Sequence, residues 1–560
     1  MNRRDFLKTT GSFAAALAFM PYERTFSLLS LPRDEQGRSF AQGFVFHDRN
    51  GNGVRDPGEP GVAGICVSNG REVVRTDSQG RWRLPVDDDT ILFVIKPSGW
   101  VVPVDENQLP QFYYIHKPNG SPRFRYAGVE PTGPLPESID FALRPQREGH
   151  RFRMVMFGDP QPRNQTEIDY IAQDVVEQVV RDAAKVDAKF GISLGDIMFD
   201  VLTLFGGLNR TIGNVGIPWY NVVGNHDLNF DARENRLSTE TFQRTYGPTD
   251  FAFNYGRVHF LIVNDIFWNG SMSAGYHAEL TDKTLDFIRN DLAEVPRDRL
   301  VVLCVHIPIV QIRNRDRLYR LLEDRPHAVS FSAHTHVQRH YFLSEADGWK
   351  GAKPHHHVNH ATVCGSWWQG AFDERGIPHA TMSDGVPNGY SIVEFDGSAY
   401  KIQFRAASRP EWEQMRIWVP DVVPMVRLAS TDVIANVYAG SERSVVEMRV
   451  DRGEWRPMEQ FTGQDPYYLA LKALEASPNP PTGRRLPNPS NTPHLWKAPL
   501  PRGLRPGSRL IEVRTTDMFG QVHEGRRIVR VTEQSAAVEH QEIFALGQEL
   551  GRTAEALAAI

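Results

Sequence analysis

Apolar runs of about five residues, each ended by a small or polar residue, recur along the middle of this chain. They lie at Arg153 to Phe157, Phe190 to Leu194, Trp219 to Val223, Val258 to Val263, Leu300 to Val305 and Ala328 to Ser332. Runs this short and apolar at nearly every position predict strands buried on both faces, as in a parallel sheet. Between the first two, Ile168, Ile171, Val175, Val179 and Ala183 recur at helical spacing after Thr166, a candidate cap. They predict a helix with one apolar face. Strand and helix patterns thus alternate from about residue 150 to 398, which predicts an α/β core.

The pattern changes on either side of that core. From 40 to 145, the short runs Gly43 to Phe46, Ile65 to Val67, Glu72 to Thr76 and Ile91 to Ile95 are separated by Gly, Asp, Asn and Pro clusters. This predicts a β-sandwich. From 400 to 560, Val423 to Leu428, Val445 to Val450 and Arg509 to Arg514 predict a β-domain. A Pro- and Asn-rich linker, Ser477 to Pro493, interrupts it, and a helical tail is expected from about Ala536 to Ile560. Three folded units suit 560 residues, more than one hydrophobic core usually supports.

Composition narrows the class. With 41% hydrophobic and 23% charged residues, the chain matches soluble globular proteins. A net charge of -5 gives no broad basic face, so nucleic acid is not an expected partner. Three cysteines, Cys66, Cys304 and Cys364, are odd in number and far apart, so no disulfide framework is expected. At the N-terminus, Arg3-Arg4-Asp5-Phe6-Leu7-Lys8 precedes an uncharged stretch to Pro21. This segment, with a linker to residue 35, resembles a twin-arginine export signal. The resemblance implies the twin-arginine machinery as a partner and a periplasmic or secreted location. The apolar stretch is too short for a permanent membrane anchor.

The ends of the core strands carry the chemistry. The first stops at Gly158-Asp159-Pro160-Gln161, the second at Gly195-Asp196 and on to Asp200, the third at Gly224-Asn225-His226-Asp227. Later strands stop at His306 and at Ala333-His334-Thr335-His336. Ligands gather at the carboxyl ends of strands in α/β sheets, so these groups should converge. Carboxylate, amide and imidazole together suit divalent ions such as Mn²⁺, Fe²⁺ and Zn²⁺.

In order and spacing these blocks resemble the calcineurin-like metallophosphoesterase family, with its D-x-H, G-D-x-x-D, G-N-H-D/E, lone H and G-H-x-H blocks. The resemblance implies an α/β/β/α sandwich core and two metal ions. Asp159 and His336 would hold the first, Asn225, His306 and His334 the second, and Asp196 would bridge them. His226 would serve as an acid, with Asp227 orienting its ring. Two departures stand out: Gln161 replaces the histidine of the first block, and Ala333 replaces a glycine. Gln161 is expected to offer an amide oxygen to the first ion, weakening that position, favouring a harder ion such as Mn²⁺, or leaving it vacant. Two close cations would let hydroxide attack a phosphomonoester or phosphodiester in line. A second functional class is a glycan- or envelope-binding protein on a retired enzyme scaffold.

Three further segments draw attention. Trp367 and Trp368, with Asp384 and Asn388, read as a lip for a glycan- or lipid-linked phosphoester. The alternative places one tryptophan in the core and the other over a domain junction. His355, His356, His357 and His360 read as a polar loop or as ligands of another metal. Asp48, Asn50, Asn52, Asp56 and Glu59 occupy oxygen positions of a twelve-residue calcium loop with Gly53 at the turn. That loop binds structural Ca²⁺ or is a solvated turn. The module around it resembles the prealbumin-like domains that precede some secreted phosphoesterases, and the C-terminal β-domain resembles an Ig-like domain.

Overall fold

A computed structural model describes residues 39–533. The twin-arginine segment and the expected helical tail lie outside those residues. Among the described residues no helix is long and apolar enough to cross a membrane.

The core is two sheets packed face to face. One has the strand order Trp219–Asn221, Ala188–Ser193, Arg151–Phe157, Gly389–Asp396, Ala399–Ala406, the first three parallel. Its closing hairpin runs past the boundary expected at residue 398. The other runs Phe251–Tyr255, Val258–Ile262, Leu300–Cys304, Ala328–Ser332, His355–Asn359, Arg339–Leu343. Four of its strands, from Val258–Ile262 to His355–Asn359, are parallel. An aromatic layer joins the two sheets: Tyr220 stacks on Phe253 at 4.1 Å, Phe190 meets Phe260 at 5.2 Å, and Phe260 meets Phe395 at 5.5 Å. Large flat side chains fill a wide inter-sheet space with few partners, which fixes the spacing of the sandwich.

The predicted helix forms as Gln165–Tyr170, Ile171–Val176 and Glu177–Val186, with a π-turn in the middle. Its cap is Asn164, two residues before the expected Thr166, and the Asn164 side chain accepts from the Glu167 amide. All of Ile168, Ile171, Val175, Val179 and Ala183 are buried.

Two β-modules flank the core. The N-terminal one pairs two four-stranded sheets, Ser39–His47 lying in one and Thr90–Val94 in the other. It docks through Phe93 on Phe287 and Phe112 on Phe251, with the buried Lys96–Glu148 pair at 2.8 Å beside them. The C-terminal module packs the sheet holding Asp432–Val437 against that holding Gly507–Thr516, around Val433, Met448, Trp496 and Ile511. The expected strand from Val423 to Leu428 is shorter: Val422–Pro424 is strand, and Met425–Ser430 turns into a 3-10 helix. Within the Pro- and Asn-rich linker region, Asn491–Pro499 is already a sheet strand. The helix Pro466–Glu475, capped by Asp465, was not foreseen. All three cysteines are free thiols.

Candidate metal centre

The strands of both sheets end at one crevice, and their loops are built for close approach. A side chain at Gly224 would meet the Asp196 amide at 2.0 Å, and one at Gly195 would meet His306 Nδ1 at 2.4 Å. Glycine therefore precedes Asp196 and Asn225 because the loops touch there. The backbone is strained as well. Of the 14 non-glycine residues with positive φ among the described residues, eight lie here: Asp159, Gln161, Asp196, Asp200, His334, His336, Trp367 and Trp368. Such conformations persist where surroundings over-determine them, and they concentrate at functional sites.

The imidazole of His306 sets the centre. Its Nδ1 donates to the Leu194 carbonyl at 2.8 Å, so Nε2 presents a lone pair. That lone pair faces Asn225 Oδ1 at 3.1 Å, His334 Nδ1 at 3.1 Å and Asp196 Oδ2 at 3.3 Å. Beside it, His336 donates from Nδ1 to the Gly365 carbonyl and turns Nε2 to Asp159 Oδ2 at 3.1 Å. Asp159 Oδ2 is buried with no hydrogen-bond donor. Among the described residues, Asp196, His306 and His334 form the one group of three His, Cys, Asp or Glu whose ligand atoms lie within 4.8 Å of one another.

Electron pairs converging in a buried place repel unless a positive charge stands between them. The electrostatics express the same demand. Burial pulls His306 down, but the Asp196 carboxylate outweighs it and pushes the imidazole up to about 10. His334, partly buried and beside the His306 charge, is held down to about 4. Nitrogen and oxygen donors with two carboxylates to offset charge are a set that divalent metal ions fit.

Gln161 departs from its expected role. Its amide nitrogen donates to Asp196 Oδ2 at 3.2 Å, and its Oε1 is turned to the Cys364 thiol at 3.6 Å. In this orientation it tethers the Asp196 carboxylate and offers no oxygen to the first position. His226 stands at the rim, its ring stacked on Phe199 at 4.5 Å. Asp227 does not orient it. The Asp227 oxygens accept from the amides of Ile197, Met198 and Gly224 at 3.0, 2.9 and 2.9 Å, which locks the Asp196 and Asn225 loops together. The carboxylate on His226 Nδ1 is Asp200, at 2.6 Å. Burial lowers the His226 pKa, but Asp196 and Asp200 outweigh it and raise it. Asp265, missed in the sequence, does for His306 what Asp227 does for Asp196, accepting from the amides of His306 and Ile307 at 3.2 and 3.0 Å. Its place at the end of the strand Val258–Ile262 was the available signal.

The expected substrate lip divides. Trp367 is half-buried and stacks on His336 at 4.1 Å. Trp368 is buried against Tyr170 and belongs to the core. Asp384 is fully buried, accepting from the amides of Gln338 and Val386 at 2.7 and 3.0 Å and facing His494. Asn388 is buried too, donating to Asp174 and to the Val363 carbonyl. Both hold backbone, and neither reaches the crevice as a free side chain. The histidines 355–357 are not a loop but a buried strand, and His360 is buried beyond it, bonded to Ser391. In the 48–59 loop, Asp48 accepts from the Gly51 and Gly53 amides, Glu59 from those of Arg49 and Asp56, and Asn50 and Asn52 donate to Asp56. The loop has a calcium loop's turn, with its carboxylates engaged by its own donors.

Comparison with known proteins follows this anatomy. Three family models match: the N terminal of calcineurin-like phosphoesterase over residues 49–127, calcineurin-like phosphoesterase over 152–338, and the C terminal of calcineurin-like phosphoesterase over 357–523. No curated protein matches the chain. Among solved structures it is similar to the purple acid phosphatase PPD1 of yellow lupin (Lupinus luteus) seeds, at 11% identity over 62% of this chain and 69% of that one, with a TM-score of 0.34. It is also similar to a dimetal phosphatase of Danio rerio, at 12% identity over 45% of this chain and 98% of that one, with a TM-score of 0.29. Likeness at this level carries no assignment of its own.

Proposed function

The chain belongs to the calcineurin-like phosphoesterase family and is a metal-dependent phosphoester hydrolase; from that premise we propose that it is exported and cleaves phosphomonoesters or phosphodiesters at a two-metal centre. Asn225, His306 and His334 would hold one divalent ion and Asp159 and His336 the other, with Asp196 shared by the two groups. The observation that carries this reading is the convergence of acceptors on His306 Nε2, all within 3.3 Å.

Divalent ions held there would supply positive charge to offset phosphoryl oxygens and to acidify a water. The chain's own residues do the rest. Asp227 and Asp265 fix the loops that carry Asp196, Asn225 and His306, so the ligands need no reorganisation when charge develops. Gln161 holds the Asp196 carboxylate in register by donating to Oδ2. Asp200 accepts a hydrogen bond from His226 Nδ1–H and stabilises the charged ring, leaving Nε2–H to protonate the departing alkoxide. Phe199 holds that ring flat at the rim. Export rests on Arg3-Arg4 and the apolar stretch that follows.

The test is hydrolysis of matched alkyl mono- and diesters by metal-stripped protein restored with Mn²⁺, Fe²⁺ or Zn²⁺. Turnover that returns with metal content supports the reading. Restored metal without turnover on either ester rejects it.

A further inference from the structure

Two consecutive tryptophans hold a left-handed backbone, Trp367 at φ 54° and Trp368 at φ 53°. For bulky residues this conformation is strained, so something must hold it. The restraint comes from two arginines. Arg163 donates to the Trp367 carbonyl, and Arg484 donates from Nη2 to the carbonyls of Trp367 at 2.8 Å and Trp368 at 3.1 Å. The same Arg484 nitrogen is 2.7 Å from the buried Glu167 carboxylate, which in turn accepts from the Arg163 amide at 2.8 Å.

Arg484 belongs to the C-terminal module, over 300 residues from Glu167 in the chain. Its own loop is pinned. The Arg484 carbonyl accepts from the Gly370 amide at 2.8 Å, and a side chain at Gly483 would strike the Gly370 carbonyl at 2.1 Å. Next to it, buried Leu486 is bonded through its amide to Glu475 and through its carbonyl to Lys472, both on the helix Pro466–Glu475. A rigid path therefore runs from that helix through Arg484 to the Trp367 backbone. It ends at the Trp367 indole, which lies on the His336 ring at 4.1 Å and 28°.

We propose that Arg484 is a positioning residue for the metal centre: it holds the Trp367 backbone in its strained form, and Trp367 in turn fixes the ring plane of His336. The C-terminal module is thereby part of the hydrolytic site rather than an appendage. Partners that orient a ligand ring typically contribute 10- to 100-fold in metal affinity. This inference rests on the reading of His336 as a metal ligand.

A double-mutant cycle tests it, with Mn²⁺ titrated into the metal-stripped full chain. Arg484→Met and Trp367→Leu are each expected to weaken one of the two ions about 10-fold. The double variant should be no weaker than the worse single one, because both act through one contact. Arg484→Lys, which keeps a cationic donor on a shorter side chain, should recover part of the loss; it replaces Arg484→Met in the cycle should that variant not fold. Losses that multiply in the double variant, or wild-type affinity in Arg484→Met, overturn the proposal. His336→Ala separates the two readings. If it keeps both ions, the assignment of the metal centre fails; if it loses one while Arg484→Met binds as the parent does, only this inference fails.

Discussion

The strand Ala328–Ser332 serves two sets of histidines. From its carboxyl end come His334 and His336, which meet His306, Asp159 and Asp196. Along its flank, Ser330 and Ser332 hold the rings of the neighbouring strand: Ser330 Oγ lies 2.8 Å from both His355 and His357, and Ser332 Oγ 3.0 Å from His357. Further out, His356 bridges His340 at 2.9 Å and the Tyr400 hydroxyl at 2.6 Å. The two sets differ in what faces their rings: carboxylates meet His306 and His336 in the first, hydroxyls meet His355, His356 and His357 in the second. His306 is driven up to about 10 because a carboxylate outweighs burial, while burial alone holds His355 down to about 4. A neutral imidazole can bond a hydroxyl, whereas buried imidazoles facing carboxylates favour a cation. Carboxylates, not the number of histidines, make the metal site.

The largest expected effect comes from removing the charge that defines the first set. Asp196→Asn should lower turnover on the order of 10⁴-fold, since the ligands act as a unit, and reduce bound metal towards one ion per chain. Full metal content in that variant would show that Asp196 does not join the two positions.

Next comes the imidazole that touches carboxylates without being a ligand. His226→Ala should keep both ions and lose about 10²- to 10⁴-fold on alkyl phosphoesters, with far less loss on nitrophenyl esters, whose leaving group needs no proton. Asp200→Asn should lose part of the same factor on the same substrates, and Asp227→Asn should show no such leaving-group dependence. An equal loss on both ester types in His226→Ala means the ring orients the phosphoryl group instead.

The second set should reveal itself through acid. His340 and His355 are held to about 4 in the fold, against an ordinary value near 6.5. The unfolded chain therefore binds protons below pH ~6.5 that the fold refuses. Their stabilising contribution is complete above that pH and is lost as pH falls through about 4, at ~1.4 kcal/mol per pH unit per histidine. His355→Gln should flatten unfolding free energy against pH in this window by about one proton, with turnover at neutral pH unchanged. An unaltered slope would contradict the neutral, hydroxyl-bonded state of His355.

The smallest effect concerns carboxylates without imidazoles, in the 48–59 loop. We propose that Ca²⁺ displaces the loop's internal donors and raises the melting temperature on the order of a few degrees. Asp48→Ala with Glu59→Ala should abolish that rise. Identical melting of the parent with and without Ca²⁺ removes calcium from the account.

The comparison also explains what could be read from the sequence. The convergence of the strand-end groups was legible because topology delivers those ends to one crevice, and Gly before Asp or Asn marks where loops touch. Roles assigned by adjacency were not legible. Asp227 follows His226 directly, but neighbouring side chains in a 3-10 turn diverge, so its carboxylate meets backbone while Asp200 takes the ring. Asp384 and Asn388 looked like substrate groups because polar residues in a loop do. Their partners are backbone and residues far along the chain, such as His494 and Asp174, which no local pattern shows. The histidine strand suggested a loop because its side chains are polar, and its partners Ser330, Ser332, His340 and Tyr400 come from other strands.

The most direct measurement is metal content per chain in the parent, His306→Ala and His357→Ala, each reconstituted with Mn²⁺ and freed of excess. The account predicts two ions in the parent, fewer in His306→Ala, and two in His357→Ala. Loss of metal from His357→Ala with full retention in His306→Ala would contradict it.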